Sequence, residues 1–153
     1  MAGKIALVTG ASGGIGAACA EKLARQGYTV LAHANRGMDA AQALAARLCA
    51  EGCDVHAVQA DLSDSAQAGA MCADILRVYH RVDALVLCAG VSHTGLLCDM
   101  TDAQWHAVME TNVSPGMTET SLFPAACKAG GLSLSAVLNE LVSNAKERGA
   151  VFC

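Results

Sequence analysis

A chain of 153 residues with 54% hydrophobic and 16% charged residues and only two prolines can bury a full core, which excludes disorder over most of its length. Its net charge of −4, with ten basic residues scattered along it, excludes a basic face for non-specific nucleic-acid binding. No run approaches the roughly 20 apolar residues that span a bilayer, and the one in MAGKIALVTG is too short for a secretion signal, so the expected compartment is the cytoplasm.

The predicted elements alternate along the chain. Ile5 to Val8 is a short apolar strand, and apolar residues then recur at helical spacing from Ile15 to Gln26, where Gly27 stops the helix. YTVLAHA reads as a second strand, and MDAAQALAARLCAEG as an alanine-rich helix ended by Gly52. DVHAVQA is a third strand and DSAQAGAMCADILRVYH a third helix. DALVLCAG is a fourth strand, almost continuously apolar, as expected of one buried on both faces. Thr101 and Asp102 cap a fourth helix, AQWHAVMETNV, with Trp105, Val108 and Met109 on one face.

Strands alternating with helices predict right-handed βαβ units, hence an α/β fold. The expected architecture is a Rossmann-type doubly wound parallel sheet in three layers, α/β/α, with strand order 3-2-1-4. Residues 1–114 form this domain. Residues 115–153 are an atypical C-terminal extension expected to pack on it. The extension begins with a loop holding both prolines. Leu134, Val137, Leu138, Leu141 and Val142 then mark an amphipathic helix, and AVFC has the composition to begin a fifth strand.

Eight cysteines stand at 19, 49, 53, 72, 88, 98, 127 and 153, none in a CxxC pair, and read as small buried hydrophobes kept reduced. Cys49, Cys53 and His56 cluster in CAEGCDVH, but the spacing is loose and a fourth ligand is missing; no metal site is expected.

VTGASGGIG sets Gly10, Gly14 and Gly16 between the first strand and the first helix. Glycine permits a tight turn whose backbone N–H groups approach a pyrophosphate, and the helix N-terminus behind it favours negative charge. The spacing is GxxxGxG. TGASGGIG resembles the cofactor loop of the short-chain dehydrogenase/reductase family, and further motifs follow in order. Asp61-Leu62, after the third strand, matches the family's acidic residue beside the adenine. Cys88, Ala89 and Gly90 match its NAG segment at the end of the fourth strand, and Asn112 in TNVS its active-site asparagine. The resemblance covers residues 1 to about 114 and is greatest to 3-oxoacyl-carrier-protein reductase-like members.

That resemblance implies a nicotinamide dinucleotide held by Gly10, Ser12, Gly14, Ile15, Gly16, Asn35, Arg36, Asp61, Leu62, Cys88, Ala89 and Gly90. It implies hydride transfer between the cofactor and a small carbonyl or alcohol substrate. HANRG, at the end of the second strand, offers no carboxylate before Asp39 to accept bonds from a ribose 2′-hydroxyl, while Arg36 can pair with a 2′-phosphate. NADP(H) is therefore favoured over NAD(H), although Gly13 stands where many NADP-dependent relatives carry a second basic residue.

The family's reduction uses a tyrosine as proton donor, a lysine four residues later that lowers the tyrosine's pKa, and a serine on a fifth strand. Tyr28 and Tyr79 are the two tyrosines, and neither starts a Tyr-x-x-x-Lys. Ser92 and His93 follow the CAG turn and are placed to line the cleft without an assigned role. Asn112 is thus the one carried-over member of the active-site set.

The tail admits three readings. PGMTET resembles a segment that relatives carry after the sixth strand, which implies an internal deletion. LFPAACKAGG resembles the end of the Asn-bearing helix, with the rest unrelated or frameshifted. AKERGAVFC resembles the lead-in to the fifth strand. The functional reading is an NAD(P)(H)-binding oxidoreductase of this family, catalytically incomplete as the chain stands. The alternatives are a non-catalytic nucleotide-binding or interaction module, or a truncated gene product; the oligomeric state is left open.

Overall fold

The structure, a computed structural model, describes residues 3–112. The extension at 115–153, with its amphipathic helix from Leu134 and its AVFC strand, lies outside the described residues. Four strands, β1 (Ile5–Thr9), β2 (Thr29–Ala34), β3 (Val55–Gln59) and β4 (Ala84–Leu87), alternate with α1 (Gly14–Arg25), α2 (Met38–Ala50) and α3 (Ser65–Tyr79). A single 3₁₀ turn at Leu97–Asp99 leads to α4 (Asp102–Asn112).

All strand pairs are parallel, in the order β3-β2-β1-β4, so the predicted doubly wound topology is observed. Each boundary falls within two residues of its expected place except the end of β4, which stops at Leu87, three residues before Gly90. Gly27 and Gly52 end the first two helices in left-handed backbone, at φ 84° and 87°. Asp64 caps α3 by accepting from the N–H groups of Ala66 and Gln67 at 2.9 and 3.3 Å. At the start of α4, Thr101 and Gln104 exchange reciprocal bonds, a capping box.

Alternation along the strands divides the core between two faces. Ala6, Val8, Val30 and Ala32 meet Ala20 and Ala24 of α1 and Leu44 and Leu48 of α2. Ile5, Leu7 and Leu31 point the other way, onto Ala68, Met71 and Ile75 of α3. These are the three predicted layers. Alanine at the α1 contact lets that helix lie close to the sheet, which fixes where its N-terminus emerges.

Two expectations are corrected. None of the six described cysteines is fully buried: Cys19, Cys53, Cys72 and Cys88 are half-buried, and Cys49 and Cys98 are exposed. β1 and β2, not β4, are buried along their whole length. Residues Ala84–Val86 of β4 are only half-buried and Leu87 is exposed, because among the described residues β4 has a neighbour on one side only, β1. An apolar run records what a strand contacts in the whole assembly, and the described part of this sheet covers one of its flanks. The Trp105 face of α4 behaves likewise: Val108 and Met109 are half-buried and Trp105 is exposed.

Candidate cofactor-binding site

Strand order reverses between β1 and β4, and at such a point the connections leaving neighbouring strands diverge and open a crevice at their C-terminal ends. A cleft of about 520 Å³ lies there. Each crossover contributes residues to its lining: Gly10 and Ser12 from β1–α1, Asn35 and Arg36 from β2–α2, Asp61 and Leu62 from β3–α3, and Cys88, Ala89 and Gly90 after β4. Four segments separated by up to 80 positions in the chain thus converge on one cleft.

The glycine turn is set by what surrounds it. Gly10 has φ 68°, and a Cβ there would sit 2.7 Å from the Ala89 nitrogen. A Cβ on Gly16 would collide with the Gly10 carbonyl, so the first turn of α1 seats directly under the loop. Buried Thr9 tethers the other wall, its hydroxyl oxygen accepting from the N–H groups of Cys88 and Ala89, both at 3.1 Å. The β1 and β4 ends are therefore held at a fixed separation.

The N-terminus of α1 carries no side-chain cap: Gly13 is the N-cap residue and no acidic side chain lies in the first turn. Its first N–H groups and positive dipole end are left to an outside anion. Gly14 and Ile15 are exposed on this turn. They and Gly16 do not line the cleft; Gly16 is buried and serves the loop-to-helix contact. Gly37, at the start of α2, lies against Ser12, so a second helix N-terminus opens beside the first, with exposed Arg36 between them.

Asp61 is held below the usual carboxylate range. Ser63 dominates, its hydroxyl and N–H donating to the Asp61 Oδ1 at 2.6 and 2.9 Å; Asn35 and the Arg36 charge add to it against a burial penalty. Asp61 is thus an anion poised to accept hydrogen bonds. Burial, with the Cys19 thiol next, pushes the Cys88 thiol up, away from reactive thiolate.

Asn112 is not among the residues that line the cleft. Its amide is spent on one backbone unit, accepting from Val91 N–H at 2.8 Å and donating to Val91 C=O. It pins the segment after Gly90. Ser92 and His93 do line the cleft. Neither tyrosine is near it. Tyr28 lies with Gly52 and Asp54, and Tyr79 packs beside His56, both at the N-terminal edge of the sheet. Cys49 donates to the Val55 carbonyl and the His56 ring pairs with Asp54, so those side chains are used locally.

Thr9, Gly13, His33, Gly37 and Ser63 were not among the expected site residues. His33 carried a visible signal, a titratable ring inside the apolar strand TVLAHA. The others are small polar or glycine residues whose roles depend on which loop faces them.

Residues 4–132 match the short chain dehydrogenase family, and the chain belongs to it, a family of nicotinamide-dinucleotide-dependent oxidoreductases. It is 36% identical over 110 residues to the 3-oxoacyl-[acyl-carrier-protein] reductase FabG of Staphylococcus aureus, an overlap of 72% of this chain and 45% of that protein. With the uncharacterized oxidoreductase YmfI of Bacillus subtilis it shares 40% over 123 residues, 79% of this chain and 50% of the relative. The chain spans about half the length of the curated relatives it matches. Among solved structures, a metagenomic short-chain oxidoreductase in complex with NADP is similar at a TM-score of 0.74 and 34% identity, over 87% of this chain and 60% of that one. A short chain dehydrogenase from Burkholderia cenocepacia in complex with NADP has a TM-score of 0.71 at 33% identity, over 84% and 49%. No helix among the described residues is long and apolar enough to cross a membrane.

Proposed function

We propose that this chain binds NADP(H) in preference to NAD(H) and, with the residues it carries, holds the dinucleotide without the proton donor that carbonyl reduction uses. The residues present fit the cofactor. Gly10 and Gly16 have no room for side chains, the α1 N-terminus is uncapped, and a cation stands at the adjoining helix start. In this reading Gly10, Ser12 and the first N–H groups of α1, at Gly14 and Ile15, hold the pyrophosphate while Gly16 seats the helix under the turn; Asn35 and Arg36 hold the 2′-phosphate, and Asp61 and Leu62 the adenine. Cys88 to Gly90 flank the nicotinamide half. Bound NADPH supplies a hydride for a carbonyl carbon. Asn112 is the carried-over active-site residue, and its grip on Val91 orients the cleft wall.

The observation that carries the cofactor preference is Arg36. It lines the cleft beside Ser12 and Gly37, and no residue from His33 to Gly37 is acidic. A guanidinium matches a phosphate through paired charge-assisted bonds, whereas a ribose hydroxyl gains little from it. Arg36→Ala is expected to lower the ratio of NADP⁺ to NAD⁺ affinity by about tenfold, the scale of one charge-assisted hydrogen bond. Calorimetric titration of each cofactor measures this; an unchanged ratio overturns the preference.

A further inference from the structure

His33 is the penultimate residue of β2, 1% exposed, and it meets the glycine turn twice. Its carbonyl accepts from Ala11 N–H at 2.8 Å, and its ring Nδ1 accepts from Gly10 N–H in a long bond of 3.4 Å. On the far side of the ring, Nε2 lies 3.0 Å from the Ala60 carbonyl, where β3 ends. A carbonyl only accepts, so Nε2 carries the proton; an N–H only donates, so Nδ1 does not. The ring thus joins three crossovers of the cleft through one protonation state.

We propose that His33 is a positioning residue for the phosphate turn, holding Gly10 and Ala11 in place as a neutral imidazole protonated on Nε2. This rests on the dinucleotide reading above for its functional consequence. Gly10 itself is held at φ 68° against Ala89, so its N–H direction depends on an acceptor behind it. A proton added at Nδ1 faces the Gly10 N–H donor to donor, and the turn must move.

Burial holds the His33 pKa below its ordinary 6.5, against the Ala60 bond and the Asp61 charge, which both pull it up. Asp61, from the β3–α3 turn, is the charge that acts on the ring. Arg36 lines the same cleft, the segment after β4 brings the Cys88 thiol and the His93 ring, and residues 5–16 bring no titratable side chain. With the folded pKa depressed, the folded chain binds fewer protons than the unfolded one just below pH 6.5. The stabilisation is therefore complete above that value and is lost as pH falls towards the folded pKa. Affinity for a dinucleotide follows the same direction. A simple attraction between an imidazolium and an anion acts oppositely.

The test uses the full chain. Nuclear magnetic resonance of the histidine ring nitrogens and the Gly10 amide is followed against pH without cofactor, and NADP⁺ binding is measured by calorimetry for wild type, His33→Gln and His33→Leu. Glutamine offers one acceptor and one donor, as the neutral ring does, and has no titration near neutrality. The expected results are an Nε2-bound proton, a Gly10 amide that shifts as His33 titrates, and NADP⁺ affinity about tenfold weaker in His33→Leu but within about twofold of wild type in His33→Gln. The 2′-phosphate titrates in every variant, so the steeper acid loss of wild type relative to His33→Gln isolates the ring. An Nδ1-bound proton, unchanged affinity in folded His33→Leu, or affinity that rises as His33 protonates overturns the proposal. If no form binds NADP⁺, the dinucleotide reading fails by itself. The Gly10 amide then decides the positioning claim, kept if it follows His33 and lost if it does not.

Discussion

Gly10→Ala is expected to destabilise the fold by roughly 2–5 kcal/mol and to abolish dinucleotide binding. Two costs combine. An L-residue forced to φ 68° pays about 1–2 kcal/mol, and the new methyl would stand 2.7 Å from the Ala89 nitrogen, an overpacking cost of about 1–3 kcal/mol. Gly16→Ala meets the second cost alone, against the Gly10 carbonyl, and is expected to lose about 1–3 kcal/mol. Gly14→Ala is the control. It has open space and helical backbone, so it is expected to be neutral or to stabilise by up to about 1 kcal/mol. Urea midpoints of the three variants measure the contrast; equal midpoints contradict the close seating of α1 under the turn.

Carbonyl reduction by the chain is expected to run about 10²- to 10⁴-fold below that of a relative carrying the full tyrosine, lysine and serine set, the range that general-acid catalysis contributes. The two tyrosines lie at the N-terminal edge of the sheet, by Asp54 and His56, while the cleft opens at the C-terminal edge. Burial raises the pKa of Tyr79 first and the Asp54 charge second, the reverse of what a lysine would do for a proton donor. Tyr28→Phe and Tyr79→Phe are accordingly expected to leave any residual NADPH-dependent turnover unchanged. Robust turnover by the wild-type chain, or its loss in either variant, contradicts this.

The sheet was readable from the sequence because local signals and topology agree. Glycine after each of the first two helices, Asp64 before the third and the Thr101–Gln104 pair before the fourth mark ends that the backbone itself needs. The convergence of TGASGGIG, Asp61 and CAG was readable through resemblance. Burial was less so: LVL in β4 and LVT in β1 have similar composition, yet one strand is half-exposed and the other enclosed, since enclosure depends on neighbours rather than on residue type. Ile15 shows the same limit from the opposite direction, sitting within the motif while its side chain points to solvent. Thr9 and His33 escaped notice because their partners, Cys88, Ala89, Gly10 and Ala60, are distant in the chain.

The most direct measurement is calorimetric titration of the full chain with NADP⁺ and NAD⁺ at neutral pH, alongside circular dichroism to establish folding. Saturable binding of both, tighter for NADP⁺ and abolished by Gly10→Ala, is the predicted result. A well-folded chain that gives no binding signal with either nucleotide contradicts the assignment of the β1–α1 turn as a pyrophosphate cradle.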